Sequence, residues 1–204
     1  MSRKPIIVFE GIEGSGKSHH ISVVSQYLDK KKIEYIKIRE PGGNQSSEKI
    51  RKLILNNKSD FNKNTDLLLY LAARSENMKT IQKYYKKKII LIDRFTDSTI
   101  AYQHYGMGIN LKTIKSLNTF VVGKFKPNLT FLCTVNKKNM FKRLSSRSRT
   151  NRYDNFKFKF YDKVRKGFEK LSKNKTNYVL LESDKSSQKE NLNNIIKAFK
   201  KIIK

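Results

Sequence analysis

The stretch Gly11-Ile-Glu-Gly-Ser-Gly-Lys-Ser18 constrains this chain more than any other feature. It fits G-x-x-x-x-G-K-[ST]. Only Glu10 separates it from the β-branched run Pro5-Ile-Ile-Val-Phe9, and a segment with helical spacing, Ser18 to Leu28, follows it. Strand, glycine loop and helix in that order let consecutive backbone N–H groups close around phosphate oxygens. Lys17 then reaches the terminal phosphates, and Ser18 is placed to ligate a magnesium ion.

Four further apolar runs read as buried strands of four or five residues: Tyr35 to Ile38, Ile89 to Ile92, Leu129 to Cys133 and Tyr178 to Leu181. Helical spacing covers Asp66 to Tyr85, Leu111 to Phe125, Lys137 to Ser148, Tyr161 to Leu171 and Asn191 to Ile203. Strands alternating with helices predict an α/β fold, a five-stranded parallel sheet with helices on both faces. The chain has three prolines and no Pro/Gly/Ser linker, so residues 1–204 read as a single domain.

Composition removes several function classes. No apolar run approaches the roughly twenty residues a membrane span needs. The apolar stretch behind the basic N-terminus stops at Glu10, short of a signal-peptide core. Cys133 stands alone, which permits neither an internal disulfide nor a cysteine metal cluster. A cytoplasmic protein is the expectation, with no membrane partner. His19, His20 and His104 show no metal-ligand spacing.

Forty-five basic residues against 17 acidic give a net charge of +28, a balance that ordinarily points to a polyanion partner. Thirty-five of the 45 are lysine, however, and 18 asparagines accompany them, as AT-rich coding produces. No RNP, helix-turn-helix or zinc pattern goes with the charge. A nucleic-acid-binding protein is therefore the rival from another class, and no specific nucleic acid is expected.

The third strand closes on Asp93-Arg94-Phe95. Carboxyl ends of parallel strands face the ligand crevice, so Asp93 and Arg94 point toward the phosphates. An aspartate there holds Mg²⁺ through water, and an arginine clamps a second phosphate with its planar fork. Phosphate loops serve ATPases, GTPases, motors and kinases alike, so the loop alone does not name an acceptor.

Three motifs taken together narrow the field: Glu10-Gly-Ile-Glu-Gly-Ser-Gly-Lys-Ser18, Arg39-Glu-Pro-Gly-Gly43 and Asp93-Arg-Phe-Thr-Asp-Ser-Thr-Ile-Ala-Tyr-Gln103. With Leu67-Leu-Leu-Tyr-Leu-Ala-Ala-Arg74 and the arginine-rich stretch at 143–152, the chain resembles the thymidylate kinases over roughly residues 5–200. The resemblance implies a P-loop nucleoside monophosphate kinase that transfers the γ-phosphoryl of Mg·ATP to dTMP, and usually a homodimer. It also implies an NMP-binding segment around 40–75 and a mobile lid around 143–155. Another P-loop kinase, one acting on a deoxynucleoside, is the rival among enzymes.

Residue by residue, the resemblance assigns ATP to Gly11, Ile12, Glu13, Gly14, Ser15, Gly16, Lys17 and Ser18, and Mg²⁺ to Ser18 and Asp93. Glu13 lies beside the acceptor's sugar and phosphate, while Arg39 and Arg94 grip that phosphate. Tyr70 matches the ring that stacks on thymine, and Arg74 the arginine that hydrogen-bonds the base. Ser98, Tyr102 and Gln103 line the deoxynucleoside pocket, Tyr102 crowding out a ribose 2′-hydroxyl. In family members whose glycine loop lacks an arginine, as here, the lid supplies the catalytic one, and the resemblance assigns that role to Arg147, Arg149 and Arg152 collectively. Four positions depart from the family pattern: Asn44 for Thr, His104 for Gly, Thr134 for Asp and Asn151 for Asp. In a chain this rich in lysine, the ten arginines are expected where guanidinium geometry matters.

Overall fold

The computed structural model describes residues 4–148 and 150–203. Five strands form one parallel sheet: β1 (Ile6–Glu10), β2 (Tyr35–Arg39), β3 (Ile89–Asp93), β4 (Leu129–Thr134) and β5 (Tyr178–Glu182), in the order β2-β3-β1-β4-β5. β1 sits at the centre, with Val8 opposite Ile92 on one side and Thr130 on the other. All five strands lie where the apolar runs put them. The two edge strands are only partly buried, against the expectation of five buried ones, because each has a neighbour on one side only.

Among the described residues, eight α-helices surround the sheet: α1 (Lys17–Lys30), α2 (Gln45–Leu55), α3 (Lys63–Tyr84), α4 (Thr96–Thr99), α5 (Leu111–Val122), α6 (Lys137–Ser145), α7 (Phe158–Ser172) and α8 (Gln188–Ile202). Successive strand side chains alternate between faces. Ile7, Phe9 and Leu91 therefore pack with Val24 and Leu28 of α1 and Ile195 and Phe199 of α8. On the opposite face Ile6, Val8, Ile90 and Ile92 pack with Met78 and Ile81 of α3 and Val122 of α5. No helix among the described residues is long and apolar enough to cross a membrane.

Two differences from the sequence expectation bear on function. The helix after β4 stops at Ser145 rather than Ser148. The Ser145 and Ser146 hydroxyls turn back to donate to the carbonyls of Lys142 and Arg143, offering the backbone a way out of the helix. After β3, α4 runs directly into a π-helical segment, Ile100–Gly106. Such wide turns concentrate at functional sites. Here the turn is seated by α7, where a Cβ on Gly167 would lie 2.6 Å from the Tyr105 ring, so only glycine allows the approach.

Candidate active site

The glycine loop leaves β1 at Gly11, whose φ is +137° and whose hypothetical Cβ would lie 2.1 Å from the Cys133 carbonyl oxygen of β4. No side chain fits there, which fixes the loop against the central strands. Gly16 caps α1 in the left-handed region, so the loop's amides lead into that helix's positive end. Lys17, buried, donates to the carbonyls of Gly11 (3.0 Å) and Ile12 (2.9 Å). Burial, helped by the nearby Arg94 charge, pulls its pKa down to about 8.

From β3, Arg94 meets the loop. It adopts φ +66°, outside the usual range for a side-chain-bearing residue. One guanidinium nitrogen donates to the Gly11 carbonyl at 2.9 Å, and another pairs with Glu13 at 2.8 Å. The guanidinium carbon lies 5.1 Å from the centre of the Tyr102 ring, whose hydroxyl donates to the other Glu13 oxygen. Burial raises the Glu13 pKa, but the cations Arg94 and Lys17 outweigh it and hold the carboxyl below its usual range. Arg94 is itself held well above its ordinary value. Burial alone would lower it, and the surrounding Tyr102, Glu13, Asp93 and Glu10 prevail.

Behind this group sits Glu10, the last residue of β1 and wholly buried. It accepts from the backbone N–H of Phe95 (2.9 Å) and Ser98 (3.2 Å) and from the Ser98 hydroxyl, so a carboxyl from the central strand caps the helix that carries the pocket. Burial, with the neighbouring Asp97 carboxylate, pushes its pKa up to about 7.

These residues open on one cleft of about 260 Å³. Glu13, Lys17 and Ser18 form its loop side, Asp93 and Arg94 its floor, and Ser98 of α4 with Tyr102 and Gln103 of the π-helical segment its wall. Tyr70 and Arg74 of α3 and Arg39 of β2 close the far side, and Arg147 enters from beyond α6. The cleft thus joins the cations of the phosphate loop and its neighbours to the rings of Tyr70 and Tyr102, a lining suited to a ligand with a charged group at one end and an aromatic one at the other.

A family model described as thymidylate kinase matches residues 9–196. The chain belongs to the thymidylate kinase family. A thymidylate kinase of Kosmotoga olearia is 35% identical over 195 residues, 95% of this chain and 94% of that protein. One of Thermosipho africanus is 36% identical over 199 residues, 97% and 96% of the two chains. The crystal structure of thymidylate kinase from Ehrlichia chaffeensis superposes with a TM-score of 0.78 at 29% identity, covering 98% of this chain and 99% of that one.

Against the family's pattern, most residues singled out from sequence come together, with three qualifications. Arg39 lines the cleft but is engaged, bidentate, by Glu48 of α2 at 2.9 and 3.0 Å. Arg74 also lines it, yet its three nitrogens already donate to Glu40 (2.7 Å), the Asn118 side chain (2.5 Å) and the Phe95 carbonyl (2.9 Å). Of the lid arginines, Arg147 borders the cleft and pairs with Asp154 at 3.0 Å, whereas Arg152 does not border it. Arg149 lies outside the described residues.

Sequence reasoning missed Arg51, Leu55 and Tyr153 as walls of the cleft. For Arg51 a signal existed, since it is the one arginine of a lysine-bearing helix, α2, and it donates to the Pro41 carbonyl at 2.5 Å. Two of the four departures are absorbed locally. Asn44 caps α2 by accepting from Ser47 N–H at 2.9 Å. Asn151 forms a capping box with Asp154 over the 3₁₀ turn Arg152–Asn155.

Proposed function

We propose that this thymidylate kinase family member phosphorylates dTMP to dTDP with ATP in the cleft between the glycine loop, α3 and the π-helical segment. The observation that carries the reading is that Lys17 of the phosphate loop and the Arg94–Glu13–Tyr102 group share one cleft. The ATP tail lies along residues 11–18. Arg94 and Arg39 hold the acceptor phosphate in line with the γ-phosphoryl, where orientation supplies much of the rate.

Tyr70 stacks on the base, with Arg74 and Gln103 at its edge. Gln103 Nε2 is buried and has no hydrogen-bond partner among the described residues, which leaves a donor for a ligand's carbonyl oxygen. Glu13, Ser98 and Tyr102 meet the sugar, and the Tyr102 ring occupies the space a 2′-hydroxyl would need. Arg147 neutralises charge developing on the transferred group. The acceptor oxygen is already anionic near neutral pH, so no general base and no covalent intermediate are needed.

The donor set at the loop suits Mg²⁺. Asp93 Oδ1 is buried without a hydrogen-bond partner among the described residues, and Ser18 borders the same cleft. Mg²⁺ takes one or two protein oxygens, several waters and substrate phosphates. Held there by Ser18 and Asp93, it would supply positive charge against the phosphates.

An ADP-release assay with dTMP, dUMP, thymidine, AMP and CMP tests the acceptor. dTMP is expected to be preferred, and a preference for thymidine would make the protein a deoxynucleoside kinase instead. A homodimer completes the reading, as thymidylate kinases usually form one. Its support is that α3 and α5 pack together and carry two large exposed apolar side chains, Leu68 (57% exposed) and Phe120 (86%). Light scattering at micromolar concentration should give twice the chain mass; the chain mass itself would rule the dimer out.

A further inference from the structure

The 3₁₀ turn beyond α6 reaches in two directions at once. Arg152 Nε donates to the Ile54 carbonyl at 2.5 Å, in the last turn of α2, and its Nη2 pairs with Asp66 Oδ1 in the first turn of α3. A cation at one helix's C-terminus and a carboxylate at another's N-terminus each suit the local dipole, so this contact neutralises both ends together. Asp66 and the Arg152 side chain are both largely buried.

The next residue, Tyr153, donates its hydroxyl to the second Asp66 oxygen at 3.1 Å. Its ring stands edge-on to Tyr70 (6.0 Å between centroids) and to Tyr102 (6.2 Å), the two rings that flank the base and sugar positions. Asp154, in the same turn, holds Arg147.

We propose that Arg152 and Asp66 are a positioning pair. They clamp the lid turn to α2 and α3 so that Tyr153 closes the acceptor pocket behind Tyr70 and Tyr102, and Arg147 is aimed at the transfer site. Arg152 thereby acts through Tyr153 and does not touch the phosphates, unlike the catalytic role its place in the lid suggested. The inference rests on the reading of this cleft as the dTMP site.

Steady-state kinetics on Arg152→Met, the milder Arg152→Lys and Asp66→Asn test it, with thermal melting in parallel. Arg152→Met and Asp66→Asn are each expected to raise KM for dTMP by about tenfold to a hundredfold, the scale of a misplacement of about 1 Å, while KM for ATP stays within about twofold. The double variant Arg152→Met/Asp66→Asn should be no worse than the poorer single one, since both break one contact. Arg152→Lys, which keeps the charge, should recover part of the loss.

The proposal is overturned if Arg152→Met lowers kcat by ~10³ with KM for dTMP unchanged and Asp66→Asn silent, the signature of an arginine on the transferred phosphoryl. It is equally overturned if the variants melt earlier but keep wild-type KM values. Should wild-type protein itself fail to use dTMP, the reading of the cleft fails first, and the two failures are told apart.

Discussion

Lys17→Met is expected to lose activity and keep, or gain, stability. The ammonium is the one flexible cation of the glycine loop, and losing a preorganised donor to the transferred phosphate costs about 10²–10³ in kcat. The folded state pays for that cation. Its pKa falls from 10.5 to about 8, so at pH 7 the charged form is disfavoured by something on the order of 3 kcal/mol relative to water. The sign follows from proton counting: between pH 8 and 10.5 the unfolded chain binds the proton and the folded one does not, so Lys17's drag on stability is full below pH 8 and relieved as pH rises through that window. Methionine fills a similar volume without charge, at the cost of the hydrogen bonds to the Gly11 and Ile12 carbonyls. Melting at pH 7 should be unchanged or higher by a few degrees, and the variant's advantage should shrink toward pH 10. A variant that melts well below wild type at pH 7 would mean that Lys17 holds the loop together rather than serving the ligand.

How much of this was legible beforehand depends on how far apart the interacting residues lie. The strands were, because a short β-branched run needs no partner to be recognised. The glycine loop was, because its neighbours in space are its neighbours in sequence. α2 was not: Gln-Ser-Ser-Glu-Lys-Ile-Arg-Lys-Leu-Ile-Leu opens polar, and its start is set by Asn44, read from sequence only as a departure from the family pattern. The π-helical turn has no sequence signature either, since the packing of Tyr105 on Gly167 belongs to α7 sixty residues on. The arginine argument holds in the structure. Each of the eight arginines left after setting aside Arg3 and Arg149, outside the described residues, donates to a carboxylate or a carbonyl, four of them to more than one partner residue. What sequence could not tell is which partner each takes, and that decides the roles: Arg147 on the cleft, Arg152 on Asp66.

Arg74 is where that distinction has the largest structural effect, and Arg74→Met should remove a large share of the protein's stability. Only 2% exposed, Arg74 joins Glu40 just past β2, Phe95 at the start of α4 and Asn118 of α5. Removing it strands three buried acceptors. Glu40 suffers most, since burial already raises its pKa despite the guanidinium beside it. Breaking a buried pair from one side costs about 3–5 kcal/mol, against a total of about 5–15 for a domain, and each kcal/mol shifts the melting point by about 2–4 °C at this size. A fall of about ten degrees is expected. Pairing it with Glu40→Leu separates structure from recognition. With both charges gone the desolvation penalty goes too, and the double variant should recover about 1–3 kcal/mol over Arg74→Met. KM for dTMP should nonetheless stay high, because a methionine at 74 cannot donate to the base. Recovery of dTMP affinity along with the melting temperature would show that Arg74 serves the pocket only by holding its walls.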